Sequence, residues 1–434
     1  MLQQIRRLWW LDPAWPFAMI VGSTIVAAYF QSEAAYQLYR TPKYVQGWHL
    51  LLAAGAIIAF VLGSRLATAT GQIPQPTPPA GNRIIARWFY VTLALTAFGY
   101  VSWLAVGVKN GFSFSMFIEL LTTDDPELAD WIRQELFTTV PGVTTCTQFG
   151  VPALALGLWL YFQGRKSVLW PLVMLVIVAT VRSVLFSERT AIIEMLAPAV
   201  LIVLRLAVLG RAWPRWCGVA LRSAPLVAPL ALVLFFGGFE YFRSWRFYHT
   251  QFDSYPAFVT WRLSGYYTTA HNNGAMALET DAPRVLPYNT LRPFWLFPGV
   301  SKSPFAYDKL TGHDAEADHL RMLKRYGNFE LNNEGGLFQP TLDYGIAGGL
   351  LFWLAYGFLA GRMYCSFQVG TIAGLSIYPL IYLSILEVPL VLFLCYSRIF
   401  PAFVVLTYIA WTTRPRDDSA PSPQPQGGEL AGAV

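Results

Sequence analysis

Residues 46–65 read QGWHLLLAAGAIIAFVLGSR, an apolar run that ends in an arginine. About 20 mostly apolar residues are what a helix needs to cross the hydrocarbon core of a bilayer. Similar runs recur along the chain and predict about ten membrane spans, at 16–31, 46–65, 86–107, 143–163, 167–186, 190–209, 221–239, 341–363, 370–386 and 395–412. The sequence therefore predicts an all-α polytopic membrane protein.

The composition supports a membrane protein and argues against a soluble one. The chain has 434 residues, of which 55% are hydrophobic and 13% are charged, whereas a soluble protein carries roughly 25% charged residues. A disordered chain would need many charges and few apolar residues. The net charge of +6 is modest, and we assign the excess of basic residues to cytoplasmic connections rather than to a nucleic-acid surface.

The basic residues fall in alternate connections between the predicted spans, and this pattern predicts an orientation. Those expected on the cytoplasmic side are Arg6, Arg7, Arg65, Arg83, Arg87, Arg165, Lys166, Arg205, Arg211, Arg215, Arg222, Arg362, Arg414 and Arg416. The acidic stretch 124–130 lies in a connection on the opposite side. Because cytoplasmic loops carry an excess of Lys and Arg, we predict that both termini are cytoplasmic.

The predicted spans divide the chain into four regions. Residues 1–239 contain spans 1–7 and an outward segment, 108–142, in which we predict two short surface helices. Residues 240–335 form a large outward loop between spans 7 and 8, and because long ordered loops are usually functional, we expect it to cap an active site. Residues 336–413 contain spans 8–10. Residues 414–434, rich in Pro, Ser, Gly and Gln, are predicted to be a disordered cytoplasmic tail.

Several arginines lie at the outer membrane level, where an ionisable side chain is costly and usually faces a cavity or a partner. Arg182 and Arg189 flank the turn after the fifth span, and Arg243 and Arg246 follow the seventh. Because the guanidinium fork matches phosphate oxygens, these residues predict a site for an anionic lipid head. Alternatively, Arg189 reaches the headgroups or pairs with Glu194, and Arg243 and Arg246 belong to a plain solvated helix end.

The large loop also places amide side chains near aromatic residues. Tyr266, Asn272 and Asn273 lie close together in sequence, and Asn333 follows in a later stretch. Amides supply donors and acceptors together, as sugar hydroxyls require, so we predict these four as substrate-binding residues. The alternative is that Asn-Asn-Gly and Glu-Gly-Gly are ordinary turn sequences.

The same loop holds the candidates for a catalytic acid or base. We predict Glu240, His249 and His271 for this role. Asp253 and Glu334 lie in the same compartment, and geometry decides between such groups. The four cysteines are scattered, and no metal-binding, nucleotide-binding or serine-hydrolase motif occurs. We therefore expect no metal and no cofactor.

Five short motifs occur in an order that resembles a known family. They are PGVTTCTQFG at 141–150, SERT at 187–190, EYFRSW at 240–245, the stretch 261–274 and DYG at 343–345. In order and in topology, residues 140–365 resemble the bacterial oligosaccharide repeat-unit polymerases of the O-antigen polymerase type.

The resemblance implies a glycosyltransferase of the bacterial inner membrane with a GT-C-like fold and a periplasmic active site. Such an enzyme transfers a growing glycan from undecaprenyl pyrophosphate to a lipid-linked repeat unit, without a metal. The partners it implies are the lipid-linked oligosaccharides, the bilayer and a chain-length regulator protein. It also implies that Arg189, Arg243 and Arg262 hold the pyrophosphate. One departure is Glu188, which stands where the family has a small residue and could neutralise Arg189.

Two other functions stay open at this point. An O-antigen ligase uses the same donor but transfers the glycan to the lipid A core, and the sequence separates it poorly from a polymerase. A lipid-linked oligosaccharide transporter would favour internal repeats and polar residues near the bilayer midplane. The polar residues of this chain gather instead at one outer surface, which favours an enzyme.

Overall fold

The computed structural model describes residues 8–70, 82–122, 128, 131–138, 140, 142–185, 190–208, 215–280, 286–297 and 299–413. All regular secondary structure in these residues is helical, which confirms the all-α prediction. The α-helices, in chain order, are α1 (Ala14–Phe30), α2 (Glu33–Leu38), α3 (Gly47–Thr70), α4 (Asn82–Lys109), α5 (Phe114–Thr122), α6 (Gly150–Phe162), α7 (Leu169–Leu185), α8 (Thr190–Val203), α9 (Arg215–Glu240), α10 (Arg246–Tyr248), α11 (Tyr255–Glu279), α12 (Arg292–Trp295), α13 (Tyr307–Thr311), α14 (Ala315–Tyr326), α15 (Gln339–Val369), α16 (Ile372–Glu387) and α17 (Phe400–Thr412). Short 3-10 or π segments lie at Trp9–Leu11, Ile132–Leu136, Thr144–Phe149, Lys166–Val168, Leu204–Val208, Tyr241–Trp245 and Phe393–Cys395. The predicted tail, 414–434, lies outside the described residues.

Seven segments of the described chain are long and apolar enough to cross a membrane, and each lies at a predicted span. They are Gly47–Thr70, Asn82–Lys109, Thr144–Phe162, Lys166–Ser183, Thr190–Ala207, Cys217–Glu240 and Gln339–Val369. Three shorter apolar helices, α1, α16 and α17, occupy the remaining predicted positions. The polytopic architecture is thus confirmed, whereas the count of ten spans stays a prediction, because these three helices fall short of the roughly 20 residues of a full span.

Long-range hydrogen bonds show which helix ends lie together. Asn272 of α11 accepts a hydrogen bond from the backbone N–H of Tyr44, just before α3 begins. Gly335, shortly before α15, donates its N–H to the carbonyl of Leu390, shortly after α16 ends. We call this end of the bundle, at which α3 and α15 begin and α16 ends, the site end.

The opposite end of the bundle is held by basic side chains. Arg205 donates from Nε to the carbonyl of Phe367 at 3.0 Å and from Nη2 to that of Gln368 at 2.9 Å, which satisfies carbonyls left open where α15 ends. Arg65, near the end of α3, pairs with Asp12 at 2.6 Å, just before α1. Two arginines predicted to be cytoplasmic therefore lie at the same end of the bundle.

The tightest packing in the bundle is between α3 and α15. A Cβ atom at Gly357 would overlap the backbone carbonyl of Phe60, and one at Gly63 would overlap that of Leu354. Small residues of this kind let membrane helices approach at backbone distance. The Phe60 ring stacks on that of Phe17 at 4.0 Å, which brings α1 into the same core.

The region 240–335, predicted as a loop, contains a long helix that packs against the bundle. Its long helix α11 packs against α1 and α9, and the residues from Thr268 to Met276 are buried. Hydropathy missed this helix because its buried face carries His and Asn side chains, which are hydrogen-bonded inside the protein. Shorter helices, α12 to α14, then lead to α15. In the segment 108–142, α5 confirms that a helix forms where the first of the two short helices was predicted.

Candidate functional site

Arg292 is the centre of an ion network at the site end. Its Nη1 donates to Glu334 Oε1 at 3.0 Å and its Nη2 to Glu316 Oε1 at 3.0 Å. Gln339, the first residue of α15, donates from Nε2 to Glu334 Oε2 at 2.6 Å. Burial lowers the pKa of Arg292, but Glu334 and Glu316 together raise it above its usual value. The guanidinium is therefore a fixed positive charge at this end of the bundle.

Tyr396 connects this network to a second ion pair. The Arg292 guanidinium lies 5.7 Å from the centre of the Tyr396 ring. The tyrosine hydroxyl also interacts electrostatically with Arg398 and Glu194, which are joined to each other at 2.9 Å. The loop between α16 and α17 thus places one tyrosine near both charged groups.

A third arginine, Arg182, belongs to the same neighbourhood. It lies in the last turn of α7 and donates from Nη1 to Thr147 Oγ1 at 3.0 Å. Tyr100 of α4 interacts with Arg182, Arg398 and Glu194 together. We call the set Arg182, Arg292 and Arg398, with Glu194, Glu334 and Tyr396, the arginine site.

A cavity of about 310 Å³ adjoins the arginine site, because its wall includes Glu334 of that site and also Glu316, which pairs with Arg292. It lies between the end of α11, the segment 286–289, α13, α14 and the start of α15. Its other lining residues are Ala277, Thr280, Leu286, Tyr288, Asn289, Tyr307, His313, Ala315, Asp318, His319, Met322, Tyr326, Gln339, Leu342 and Asp343. We call it the tyrosine cavity.

No protein-family model matches this chain. Neither a curated protein nor a solved structure matches it either. The resemblance to repeat-unit polymerases therefore rests on the order of the sequence motifs.

Two of the predicted site residues, Glu240 and Arg262, form a separate buried ion group. Arg262 Nε lies 3.4 Å from Glu240 Oε2, and its Nη1 lies 2.7 Å from Glu330 Oε1. Tyr248 donates to the other oxygen of Glu330 at 2.7 Å, and the Tyr266 ring lies 5.4 Å from the guanidinium. Burial and the Glu330 carboxylate raise the pKa of Tyr248 to about 12. This group ties the end of α9 to α11.

The predicted sugar-binding amides make hydrogen bonds within the protein. Asn272 is fully buried, and its side chain both donates to and accepts from the segment 41–45. Asn273 donates from Nδ2 to the backbone carbonyls of Leu331 and Asn333, each at 2.9 Å. A role in holding sugar would require these bonds to open.

The three predicted catalytic residues are not brought to one point. His271 is fully buried and lies 2.9 Å from Thr24 Oγ1, whereas Glu240 contacts Arg262. Arg262 and His271 are nine residues apart on α11, or roughly 13 Å along its axis. His249 lies in an exposed position after α10. Among the described residues no group of three His, Cys, Asp or Glu could hold a metal ion.

The structure does not test the predicted role of three further arginines. Arg189 and the side chains of Arg243 and Arg246 lie outside the described residues. The backbone of the latter two follows directly on α9. Sequence reasoning found Arg182 but missed Arg292 and Arg398. The signal for Arg398 was its place inside the predicted span 395–412, because a charge in a span needs a partner.

Proposed function

We propose that this protein is a glycosyltransferase of the bacterial inner membrane that polymerises lipid-linked oligosaccharide repeat units. In this proposal the growing glycan passes from undecaprenyl pyrophosphate to a lipid-linked repeat unit at the periplasmic face, in a GT-C-like fold. The observation that carries the proposal is the arginine site, in which Arg182, Arg292 and Arg398 gather at one end of an apolar bundle, next to a cavity. A lipid pyrophosphate would present its charges at this level.

The chemistry follows from the groups present. The acceptor hydroxyl attacks the anomeric carbon of the donor glycan, its proton passes to a carboxylate, and the bond from that carbon to the pyrophosphate oxygen breaks. Guanidinium groups stabilise the charge that grows on the leaving pyrophosphate, and a preorganised donor is worth about a hundredfold or more in rate. Glu334 is the carboxylate we assign to the proton, because Arg292 and Gln339 fix it where the arginine site adjoins the cavity.

The orientation is part of the proposal. Arg65 and Arg205 lie at the end of the bundle opposite the site, and the positive-inside rule supports a cytoplasmic position for that end. In a variant without the native cysteines, an impermeant thiol reagent applied to intact cells after outer-membrane permeabilisation should label Asp253→Cys and not Ser167→Cys. Both positions are exposed. The reverse labelling would place the site in the cytoplasm and refute the periplasmic mechanism.

The decisive experiment is the glycan pattern of a deletion strain. Loss of a polymerase leaves single repeat units on the final lipid acceptor, whereas loss of a ligase leaves free polymer on its carrier, and loss of a transporter leaves both products absent. Complementation with Arg182→Ala should give single units at normal protein abundance, and Arg182→Lys should rescue only partly, because a point charge lacks the bidentate grip on phosphate. The exposed Arg222→Gln is the matched control and should restore the full ladder.

A further inference from the structure

The tyrosine cavity has the size and the walls of a binding site for a small polar ligand. Its volume of about 310 Å³ lies at the lower end of the roughly 300–1,000 Å³ typical of ligand pockets. It therefore suits the end of a glycan rather than a whole repeat unit. Because Glu334 borders both this cavity and the arginine site, a ligand here would reach towards the proposed donor.

The aromatic part of the wall consists of three tyrosines. Tyr288 and Tyr307 meet edge to face, with their ring centres 4.8 Å apart, and Tyr326 lines the cavity from the end of α14. Asn289 and Gln339 add amide groups. An aromatic face packs on the C–H face of a sugar ring, while amides and hydroxyls donate and accept at its edge.

The polar part of the wall is acidic. Four of the lining residues, Glu316, Asp318, Glu334 and Asp343, are carboxylates, and none is Lys or Arg. Arg292, which is not a lining residue, forms ion pairs with both Glu316 and Glu334.

With the remaining two carboxylates included, the formal charge of the four carboxylates and their arginine partners is negative. Asp318 pairs with Arg321 and lies 3.8 Å from His313, whereas the hydrogen bonds that Asp343 accepts come from Tyr288, Asn289 and Thr290, which are uncharged. Two arginines thus pair with three of the four carboxylates, and neither arginine lines the cavity.

We propose that the tyrosine cavity binds the terminal sugar of the acceptor glycan and that its acidic wall selects neutral or amino sugars over sugars that carry a carboxylate. The acceptor role rests on the proposed polymerase function. The selectivity is electrostatic, since like charges brought together in a partly desolvated site disfavour the wrong ligand.

The test measures sugar binding without any lipid-linked substrate. Purified full-length protein is titrated, by saturation-transfer NMR and by competition, with the methyl glycosides of glucose, glucosamine and glucuronic acid. We expect the glucoside and the glucosaminide to bind and the glucuronide to bind at least about tenfold more weakly. Asp318→Asn should reduce this difference, while Asp308→Asn, an exposed carboxylate outside the cavity wall, should leave it unchanged.

The outcomes separate the two proposals. Equal binding of the glucuronide, absence of binding by all three glycosides, or equal effects of the two Asp→Asn changes would overturn the cavity proposal. Selective binding in a protein whose deletion leaves the glycan ladder intact would keep the cavity and refute the polymerase. Thermal unfolding of Asp318→Asn, measured alongside, shows that the variant is folded before its selectivity is compared.

Discussion

Arg398 donates its Nε–H to Glu194 Oε2 across 2.9 Å and joins two segments that are 204 residues apart in sequence. One partner lies just before α17 and the other lies in the first two turns of α8. The side chains are only 18% and 8% exposed, so the charges are shielded from water by the bundle. An isolated charge in such a place costs several kcal/mol, and each side chain therefore depends on the other.

We expect Arg398→Gln to destabilise the protein by about 3–5 kcal/mol, because it removes the guanidinium that lies 2.9 Å from the buried Glu194 carboxylate. The double variant Glu194→Gln with Arg398→Gln removes both charges and should recover most of the lost stability. Thermal unfolding of the purified protein in detergent measures both effects. If Arg398 also binds the donor, the double variant folds and still forms no polymer.

The control for this pair is Arg222→Gln, which removes an exposed charge at the opposite end of the bundle. It should change the unfolding temperature little, since surface substitutions are usually worth less than about 0.5 kcal/mol. Wild-type stability of Arg398→Gln would contradict the structural role of the pair. Normal polymer from the double variant would remove Arg398 from the proposed donor site.

The contact between α3 and α15 gives a prediction about the fold itself. Gly357→Ala should destabilise the protein by about 3 kcal/mol or more, because its Cβ would overlap the Phe60 carbonyl and push two helix backbones apart. Gly22→Ala is the matched control, since the nearest atom to a Cβ there is 3.8 Å away on Ile57. It should be neutral or stabilising by up to about 1 kcal/mol. Comparable unfolding temperatures for the two variants would show that these helices are not held by close packing.

Hydropathy could predict most of the long helices of this fold but not the buried polar contacts between them. Each of the seven long apolar segments lies at a predicted span, because burial in lipid imposes a run of apolar residues that a single sequence displays. The helix α11 was not predicted, since its buried His271, Asn272 and Asn273 read as polar in any window. Their cost is met by hydrogen bonds to distant segments, and those bonds exist only after folding.

The ion group around Arg262, in which Glu330 is 44% exposed, predicts a dependence of stability on pH. Burial raises the pKa of Glu330, but the hydrogen bond from Tyr248 and the charge of Arg262 outweigh it, so the pKa is lower in the folded protein. A carboxylate of this kind contributes stability above its unfolded pKa, about 4.3, and loses that contribution as the pH falls through the folded value. The unfolding temperature should therefore drop as the pH is lowered below about 4.3.

Replacing the carboxylate isolates its contribution to this acid transition. Glu330→Gln should unfold at a lower temperature than the wild type at neutral pH, and its unfolding temperature should fall less on acidification. The exposed Glu33→Gln at the start of α2 is the control and should keep the wild-type slope. An unchanged slope for Glu330→Gln would show that other carboxylates dominate the acid transition.

The candidate site was less predictable than the fold because its pairs are distant in sequence. Arg182 was found from its place at the end of a span. Arg292 and Arg398 depend on Glu334 and Glu194, which lie 42 and 204 residues away. A single sequence shows that an arginine near a membrane needs a partner, but the partner is chosen by tertiary packing. The tyrosine cavity was missed for the same reason, because five separate segments build it.

The hydrogen bonds of Asn272 indicate a structural role for its amide rather than a substrate-binding one. Its Oδ1 accepts from the backbone N–H groups of Tyr44 at 2.7 Å and Val45 at 3.4 Å. Its Nδ2 donates to Thr41 Oγ1 at 3.2 Å and to the Pro42 carbonyl at 2.7 Å. One side chain thus satisfies the polar groups of the segment that leads into α3.

We expect Asn272→Ala to lower the stability and abundance of the protein, because the loss leaves buried polar groups unpaired at about 1–3 kcal/mol each. The fraction that folds should keep the KM of the wild type for the acceptor glycan, since the amide makes its contacts inside the protein. Asn332→Ala, which removes an exposed amide, is the matched control and should leave both quantities unchanged. Size-exclusion profiles and limited proteolysis measure the folded fraction, and polymerisation by that fraction gives the KM. A normally stable Asn272→Ala whose KM rises about tenfold would mean that the amide leaves the segment 41–45 to bind sugar, and that the closed arrangement seen here opens during the reaction.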